Sequence, residues 1–281
     1  MTISYLNSST EKIEEYYNLY KRCFKNFPLT KNSSYLDWLY KDNPIGNFIG
    51  IDAVENENLI GQVGGIPQEF NFNGEKIKIL QSINVCVDSN YRGKNLFSEM
   101  ANRLEIYAKG QGFSFIIAIA NEPASYVWKK SINMNLLSPL DALIGFGNLD
   151  LNEYKSQSNH FFQLWNEKNL NWRANNPHNK INICNNGKKI KLTSSSINSL
   201  IKIFTFVDNN DYQLSFNKNE FNFFPKLFLG LVPNIKRKFF IKIPNFLKPS
   251  PLNFMYKDIT GSQNKIEKNY IFLSYIDFDA Y

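Results

Sequence analysis

Apolar positions recur every three or four residues at the start of the chain, alternate through the next stretch, and return to the longer period after residue 96. Ile13, Tyr16, Tyr17, Tyr20 and Phe24 trace the first stripe, which predicts an amphipathic helix of about four turns. Ser8-Ser9-Thr10-Glu11 precedes it with the hydroxyl and the carboxylate at capping-box spacing. A second helix is predicted from Asn32-Ser33-Ser34 through Tyr35, Leu36, Trp38, Leu39 and Tyr40. It stops before Asn43-Pro44, because the residue ahead of a proline is pushed out of the helical region. From Phe48 to Val87 the reading is strand. FIGIDAV and LIGQVGGI flank Glu55-Asn56-Glu57-Asn58, and EFNF and KIKILQSINVCV flank Asn73-Gly74-Glu75, which gives two hairpins.

The last of these strands runs into a polar loop, Asp88-Ser89-Asn90-Tyr91-Arg92-Gly93-Lys94-Asn95. A helix with Phe97, Met100, Ala101, Leu104 and Ala108 on one face follows and ends at Gly110 and Gly112. FSFIIAIA, residues 113–120, is then a continuous apolar run, as expected of a strand covered on both faces. Asn121-Glu122-Pro123-Ala124 breaks it, and a short helix continues through Trp128 to Lys130.

The later half is less regular. A helix is predicted over roughly 152–168. Trp172-Arg173 leads into Asn175-Asn176-Pro177, and two short strands flank Asn185-Asn186-Gly187. The first half has the same order, with Trp38, Asn43-Pro44, strand, Asn-rich turn and strand. Such an echo predicts an internal duplication, with a linker near Gly147–Leu151 dividing residues 1–147 from 148–281. The second copy lacks an Arg-Gly-Lys loop. Phe221 to Leu247 is apolar, aromatic and basic, a composition that suits a membrane-surface anchor. Pro225, Pro233 and Pro244 interrupt any long amphipathic helix there, which favours a core helix followed by a strand.

Composition narrows the chemistry. Three cysteines without CxxC spacing and two histidines argue against a disulfide framework, a zinc finger or an iron–sulfur site. No apolar run reaches the ~18 residues of a membrane span, and MTISYLNSSTEKIEE lacks the regions of a secretory signal. These features predict a reduced, cytoplasmic protein that needs no metal. The net charge of +7 favours anionic ligands, but no nucleic-acid motif accompanies it. A strand that feeds a Gly-containing loop into a helix presents free N–H groups. Asp88–Phe97 therefore fits either a pyrophosphate cradle or a charged surface turn. Cys86 lies in an apolar strand with no histidine near it in sequence and reads as core; His160 and His178 read as a helix and a loop histidine.

The loop stretch VCVDSNYRGKNLFSEM resembles the GNAT superfamily of acyl-CoA-dependent N-acyltransferases, whose signature is Arg/Gln-x-x-Gly-x-Gly/Ala after the fourth strand. Here it reads Arg92-Gly93-Lys94-Asn95-Leu96-Phe97, with Asn95 and Phe97 where the family places small residues. A second family pattern, Asn-x-x-Ala-x-x-x-Tyr, reads Asn121-Glu122-Pro123-Ala124-Ser125-Tyr126-Val127-Trp128, with Trp128 replacing the usual tyrosine acid. The resemblance covers residues 1–147 and reaches the rest only through the duplication. It implies an α/β fold: a mixed, mostly antiparallel sheet with a splayed parallel pair and flanking helices, repeated in a second, degenerate lobe that helps to complete the acceptor site.

The resemblance further implies acetyl-CoA as co-substrate, its pantetheine arm pairing with backbone near Val85, Cys86 and Val87. Arg92, Gly93, Lys94, Asn95, Leu96 and Phe97 would hold the pyrophosphate, and Asn121 would line the site. Asn84, Glu122 and Tyr126 are the candidates for handling the amine and its proton, with Asn84 unable to act as a base. The chain resembles long, two-half members associated with bacterial surface-polysaccharide biosynthesis, a resemblance that implies an amino sugar, nucleotide-linked or free, as acceptor. A peptide, polyamine or aminoglycoside amine is the alternative acceptor, and a degenerate acyl-CoA-binding module the alternative class. Asp277, Asp279 and Tyr281, in the closing YIDFDAY, receive no catalytic role.

Overall fold

Ser9 accepts a hydrogen bond from the Glu11 N–H at 3.2 Å and opens a short 3-10 turn that leads into the first helix. A computed structural model describes residues 2–24, 33–147, 149, 160–196, 201–210, 212, 214, 216–217, 225–232, 237, 239–248 and 251–278. In chain order β1 (Ser4–Asn7), α1 (Ile13–Cys23) and α2 (Ser34–Tyr40) are followed by β2 (Ile49–Glu55), β3 (Asn58–Phe72) and β4 (Glu75–Ser82). The two-residue β5 (Cys86–Val87), α3 (Leu96–Gly110), β6 (Phe115–Ala120), α4 (Glu122–Ile132) and β7 (Asn135–Pro139) come next.

Both hairpin spacers hold two central residues at positive φ: Asn56 and Glu57 at 49° and 65°, and Asn73 and Gly74 at 54° and 93°. That geometry matches the twist of flanking strands and favours Asn and Gly. LIGQVGGI and EFNF, read above as separate, are one strand through Pro67, whose carbonyl accepts from Asn43 Nδ2 at 2.9 Å. Gly65 lets β3 and β4 approach closely, since a Cβ there would lie 2.2 Å from the Gln81 carbonyl oxygen.

The later elements are β8 (Asp141–Gly145), β9 (Phe161–Gln163), α5 (Glu167–Ala174), β10 (Asn182–Asn186), β11 (Lys189–Ser195), β12 (Lys202–Asp208), β13 (Lys226–Leu231), β14 (Phe240–Lys242), β15 (Asn253–Asp258) and β16 (Ile271–Ser274). Two expectations change here. Where residues 152–168 fall among the described residues, Phe161–Gln163 is a strand and the helix starts after Asn166. Asn166 and Asn169 cap that start reciprocally, at 3.0 and 2.7 Å, which fixes the helix one segment later. His160 accordingly precedes a strand and packs edge-on against Tyr270. In Phe221–Leu247 the described residues form strands β13 and β14 and a 3-10 turn (Asn245–Leu247), with no core helix. Phe228 and Phe240 are buried, whereas Phe239 and Ile241, on either side of Phe240, and Phe246 in the 3-10 turn are exposed. Residues 221–224, 279 and 281 lie outside the described ones.

The chain forms two compact units: residues 1–68, 77–136 and 253–265, and residues 69–76, 137–252 and 266–281. The division is not a single cut at residue 147. The hairpin tip after residue 68 pairs with β9 in the second unit, Phe70 opposite Gln163 and Phe72 opposite Phe161. Strand β15 returns to the first unit and lies antiparallel to β6, with Asn253 opposite Ala120 and Asp258 opposite Phe115. Strand pairing is a long-range choice that local sequence does not reveal.

In the first unit β2 is antiparallel to β3, β4 is parallel to β6, and β6 is antiparallel to β15. Helices α3 and α4 cover one sheet face, where Leu96, Met100, Leu104 and Trp128 join Ile51, Leu80 and Ile116 in one core. Each such fully buried side chain contributes about 1.5–3 kcal/mol. In the second unit β10, β11 and β12 are successively antiparallel, β12 is parallel to β13, and β13 is antiparallel to β8. Each unit thus contains a parallel pair closed on its far side by an antiparallel strand.

Candidate active site

Strands β4 and β6 run side by side from Ile79 opposite Phe115 to Ser82 opposite Ala118, and their pairing ends there. Asn84, at φ 51°, turns the chain. Cys86 and Val87 then pair only with Gln62 and Gly61 of β3. Beyond Ser82 and Ala118 the two parallel strands have therefore parted. Asp88 donates its N–H to the Ile60 carbonyl on the β3 side at 2.8 Å. Successive amides alternate in direction, so the Val87 N–H faces the opposite way, toward the gap. This alternation selects Val87 over Cys86 as a donor in the gap.

The loop that follows is braced from beneath. Asp88 is nearly buried, caps the 3-10 turn Ser89–Tyr91, and pairs with Arg22 Nε of α1 at 2.9 Å. Burial alone raises its carboxyl, but the Arg22 hydrogen bond, the Asn90 N–H and the Arg22 and Arg92 charges together hold it below the usual carboxylate range. A depressed folded value means that the stabilisation is present above the unfolded value of about 3.9 and is lost as pH falls through the folded one. Asp88→Asn is therefore expected to cost stability at neutral pH and progressively less below about pH 4. Urea titrations of both proteins across that range read the difference; a constant gap would rule out the ion pair as its source.

Gly93 has φ 81°, and a Cβ placed on it would meet no protein atom within 4 Å. Asn95, at the N-cap of α3, has φ 61° and makes no capping hydrogen bond to the first turn. A left-handed residue there explains why the family prefers glycine, and Asn tolerates that conformation better than most residues. Arg92 Nε donates to the Val87 carbonyl at 3.3 Å, and Lys94 Nζ lies 4.8 Å from the Tyr91 ring centre. Tyr91 in turn donates to Glu55 Oε2 at 2.7 Å. Leu96 is buried and Phe97 packs edge-on against Trp128 at 4.9 Å. Uncapped first-turn amides, an open glycine and two cations are the donor set a diphosphate requires.

On the other strand end, Asn121 Oδ1 caps α4 by accepting from the Ala124 N–H at 3.0 Å, which leaves its Nδ2. Glu122 Oε2 accepts from Asn253 Nδ2 at 3.0 Å, a partner 131 residues away. Tyr126 is 67% exposed and has no hydrogen-bond partner among the described residues. Tyr126→Phe is expected to cost less than tenfold in kcat, under about 1.4 kcal/mol. A thousandfold loss in a folded variant would mark a dedicated acid there. Trp128 is buried between α3 and α4 and carries no acid proton to offer. Burial pushes the Cys86 thiol up, which keeps it protonated and fits its core reading.

A buried polar cluster under α1 and α2 escaped the sequence reading. Asp52, Gln62, Tyr20 and Tyr40 are all nearly inaccessible. Burial raises the Asp52 carboxyl despite hydrogen bonds from Ser8, Gln62 and Tyr16. The signal was an Asp and a Gln inside the otherwise apolar FIGIDAV and LIGQVGG strands. Among the described residues no group of His, Cys, Asp and Glu has metal-holding geometry, and no helix is long and apolar enough to cross a membrane.

Residues 4–127 match the model of a family described as an acetyltransferase (GNAT) domain. This stretch, a little under half of the chain, is similar to GNAT acetyltransferase domains. Three solved structures share its fold. A probable N-acyltransferase from Enterococcus faecalis V583 is 12% identical over 92% of this chain and 73% of that one, with a TM-score of 0.59. A GCN5-related N-acetyltransferase from Anabaena variabilis ATCC 29413 is 10% identical over 92% and 73%, at 0.62. Eis1 from Mycobacterium abscessus is 12% identical over 75% and 60%, at 0.53. No curated protein matches in sequence. The match supports acyl-CoA-dependent N-acyl transfer by residues 4–127, and the likeness of fold reaches well past residue 127.

Proposed function

We propose that the protein transfers an acetyl group from acetyl-CoA to the primary amine of a small polar acceptor, an amino sugar that is free or nucleotide-linked. The observation that carries the reading is the parting of β4 and β6 beside an open, cationic helix N-terminus. Acetyl-CoA would lay its pantetheine arm in that gap as an added strand against Val85–Val87. Arg92, Lys94 and the backbone of Gly93–Phe97 would meet its diphosphate, and Asn121 Nδ2 would face the same cleft. The Val87 N–H would polarise the thioester carbonyl.

The deprotonated amine attacks the carbonyl carbon. The C–N bond forms, the C–S bond breaks, and the sulfur leaves as CoA with a proton from the amine. Neither Asn84 nor Trp128 titrates, so water would carry the first proton from the ammonium. Positioning supplies most of the acceleration on this reading.

The acceptor class is supported by the polar Asn84 end of the gap and by a net charge of +7 that suits a nucleotide-linked sugar. The second unit, proposed to be a degenerate GNAT-like lobe, repeats the order antiparallel, parallel, antiparallel and lacks the Arg-Gly-Lys loop. The test is release of free CoA thiol from acetyl-CoA with glucosamine, nucleotide-linked glucosamine, spermidine, kanamycin and a lysyl peptide. Amino-sugar turnover well above the others is the expected result; preference for any other amine overturns the acceptor class. Calorimetric binding of acetyl-CoA with no turnover would indicate a binding module.

A further inference from the structure

Five side chains of the first unit form one hydrogen-bonded chain that ends where the strands part. Asp52 on β2 accepts from Ser8 Oγ at 2.6 Å, Tyr16 Oη at 3.0 Å and Gln62 Nε2 at 3.1 Å. Gln62 Oε1 accepts from the Tyr20 hydroxyl. The Tyr20 and Tyr40 hydroxyls lie 2.6 Å apart, and Asn84 reaches Tyr40 at 3.2 Å.

The buried carboxylate sets the direction of every link. A carboxylate only accepts, so Gln62 turns its Nε2 to Asp52 and its Oε1 to Tyr20. An amide oxygen only accepts, so the single hydroxyl proton of Tyr20 goes to Gln62. The proton between the two tyrosines then belongs to Tyr40. With that proton committed, Tyr40 can only accept from Asn84, which fixes Asn84 Nδ2 inward. Asn84 Oδ1 is the acceptor left over, and it has no partner among the described residues. Positive φ at Asn84 places this side chain on the turn that opens the gap.

We propose that Asn84 Oδ1 takes an N–H of the incoming amine, and that Asp52, Gln62, Tyr20 and Tyr40 are positioning residues that hold Asn84 in that orientation. The inference rests on the N-acyltransferase reading. It gives the site a preference for a group that donates hydrogen bonds over one that only accepts them.

The test is a double-mutant cycle with glucosamine and spermidine as amine probes. Asn84→Gly suits the positive φ and removes the side chain. It is expected to raise the amine KM about 10–30-fold, roughly the loss of one hydrogen bond to a charged group. Tyr40→Phe should raise it about 3–10-fold, as a fraction of Asn84 amides turn over. The acetyl-CoA KM should stay within about twofold in both. Because Tyr40 acts through Asn84, the double variant should be no worse than Asn84→Gly alone. Additive losses, or equal rises in the two KM values, would overturn the proposal.

If the wild type acetylates neither probe, the acyltransferase reading fails for those amines and NMR of the labelled protein decides the orientation. The Asn84 amide protons should show contacts to the Tyr40 ring, exchange slowly, and shift when glucosamine is added with CoA. Fast exchange in the wild type, unchanged in Tyr40→Phe, or no shift with glucosamine, overturns it.

Discussion

Gly93→Val is expected to raise the acetyl-CoA KM by about 100-fold while kcat changes by less than about threefold. Two effects combine. A β-branched residue at φ 81° costs about 1–3 kcal/mol of backbone strain, so the loop relaxes and its amides lose their convergence. The new side chain also points into space that no protein atom occupies within 4 Å, where the diphosphate is proposed to lie. Losing one or two charge-assisted hydrogen bonds, at about 1.5–3 kcal/mol each, corresponds to a factor of about 10–100 or more at 1.36 kcal/mol per decade. Initial rates at varied acetyl-CoA, with the folded state checked by circular dichroism, give the answer. An unchanged KM in a folded variant would remove the diphosphate assignment from Arg92–Phe97. Gly93→Ala separates the two effects, since it keeps the strain and removes most of the bulk.

The second large effect concerns stability. Trp128 is 1% exposed and meets Phe97 edge-on with ring centres 4.9 Å apart. Trp128→Ala is expected to cost about 3–5 kcal/mol, as large aromatic truncations in cores do. Against a total stability of about 5–15 kcal/mol this leaves the first unit marginal. Phe97 sits in the first turn of α3, so the same change should also loosen the loop and raise the acetyl-CoA KM. Trp128→Phe, which keeps a ring opposite Phe97, should recover most of both. Urea unfolding followed by circular dichroism reads the first effect. A loss below about 1 kcal/mol would mean that the α3–α4 contact contributes little to the unit.

The elements that build the site were legible because their signals are local. Asn-Gly at 73–74 made a hairpin, Asn43-Pro44 stopped a helix, and the apolar run after Gly112 made a buried strand. The loop at Arg92 was legible because helix entry, glycine and charge coincide in a few residues. Other features depend on residues far apart. Nothing near Asn253 indicates that it will face Ala120 and hold Glu122. Nothing near Asp52 names Tyr16 or Gln62 as partners. The helix expected over 152–168 was displaced because period alone cannot tell short apolar runs from strands, and the reciprocal Asn166–Asn169 cap outweighed it.

The return of strand β15 to the first unit sets a schedule for synthesis. Ala120 leaves the ribosome long before Asn253, the residue that will face it. At about 5–20 residues per second, the wait is on the order of ten seconds. Throughout that time the outer edge of β6, an apolar strand ending in Ile-Ala-Ile-Ala, has unpaired amides and carbonyls. Such an edge is a template for any other extended chain. The nascent chain therefore presents the finished Arg92 loop and an unpaired strand edge at the same moment. A fragment ending near residue 140 would keep that hazard permanently, so the first unit is expected to be recoverable in soluble form only when β15 is supplied, in the same chain or as a separate peptide.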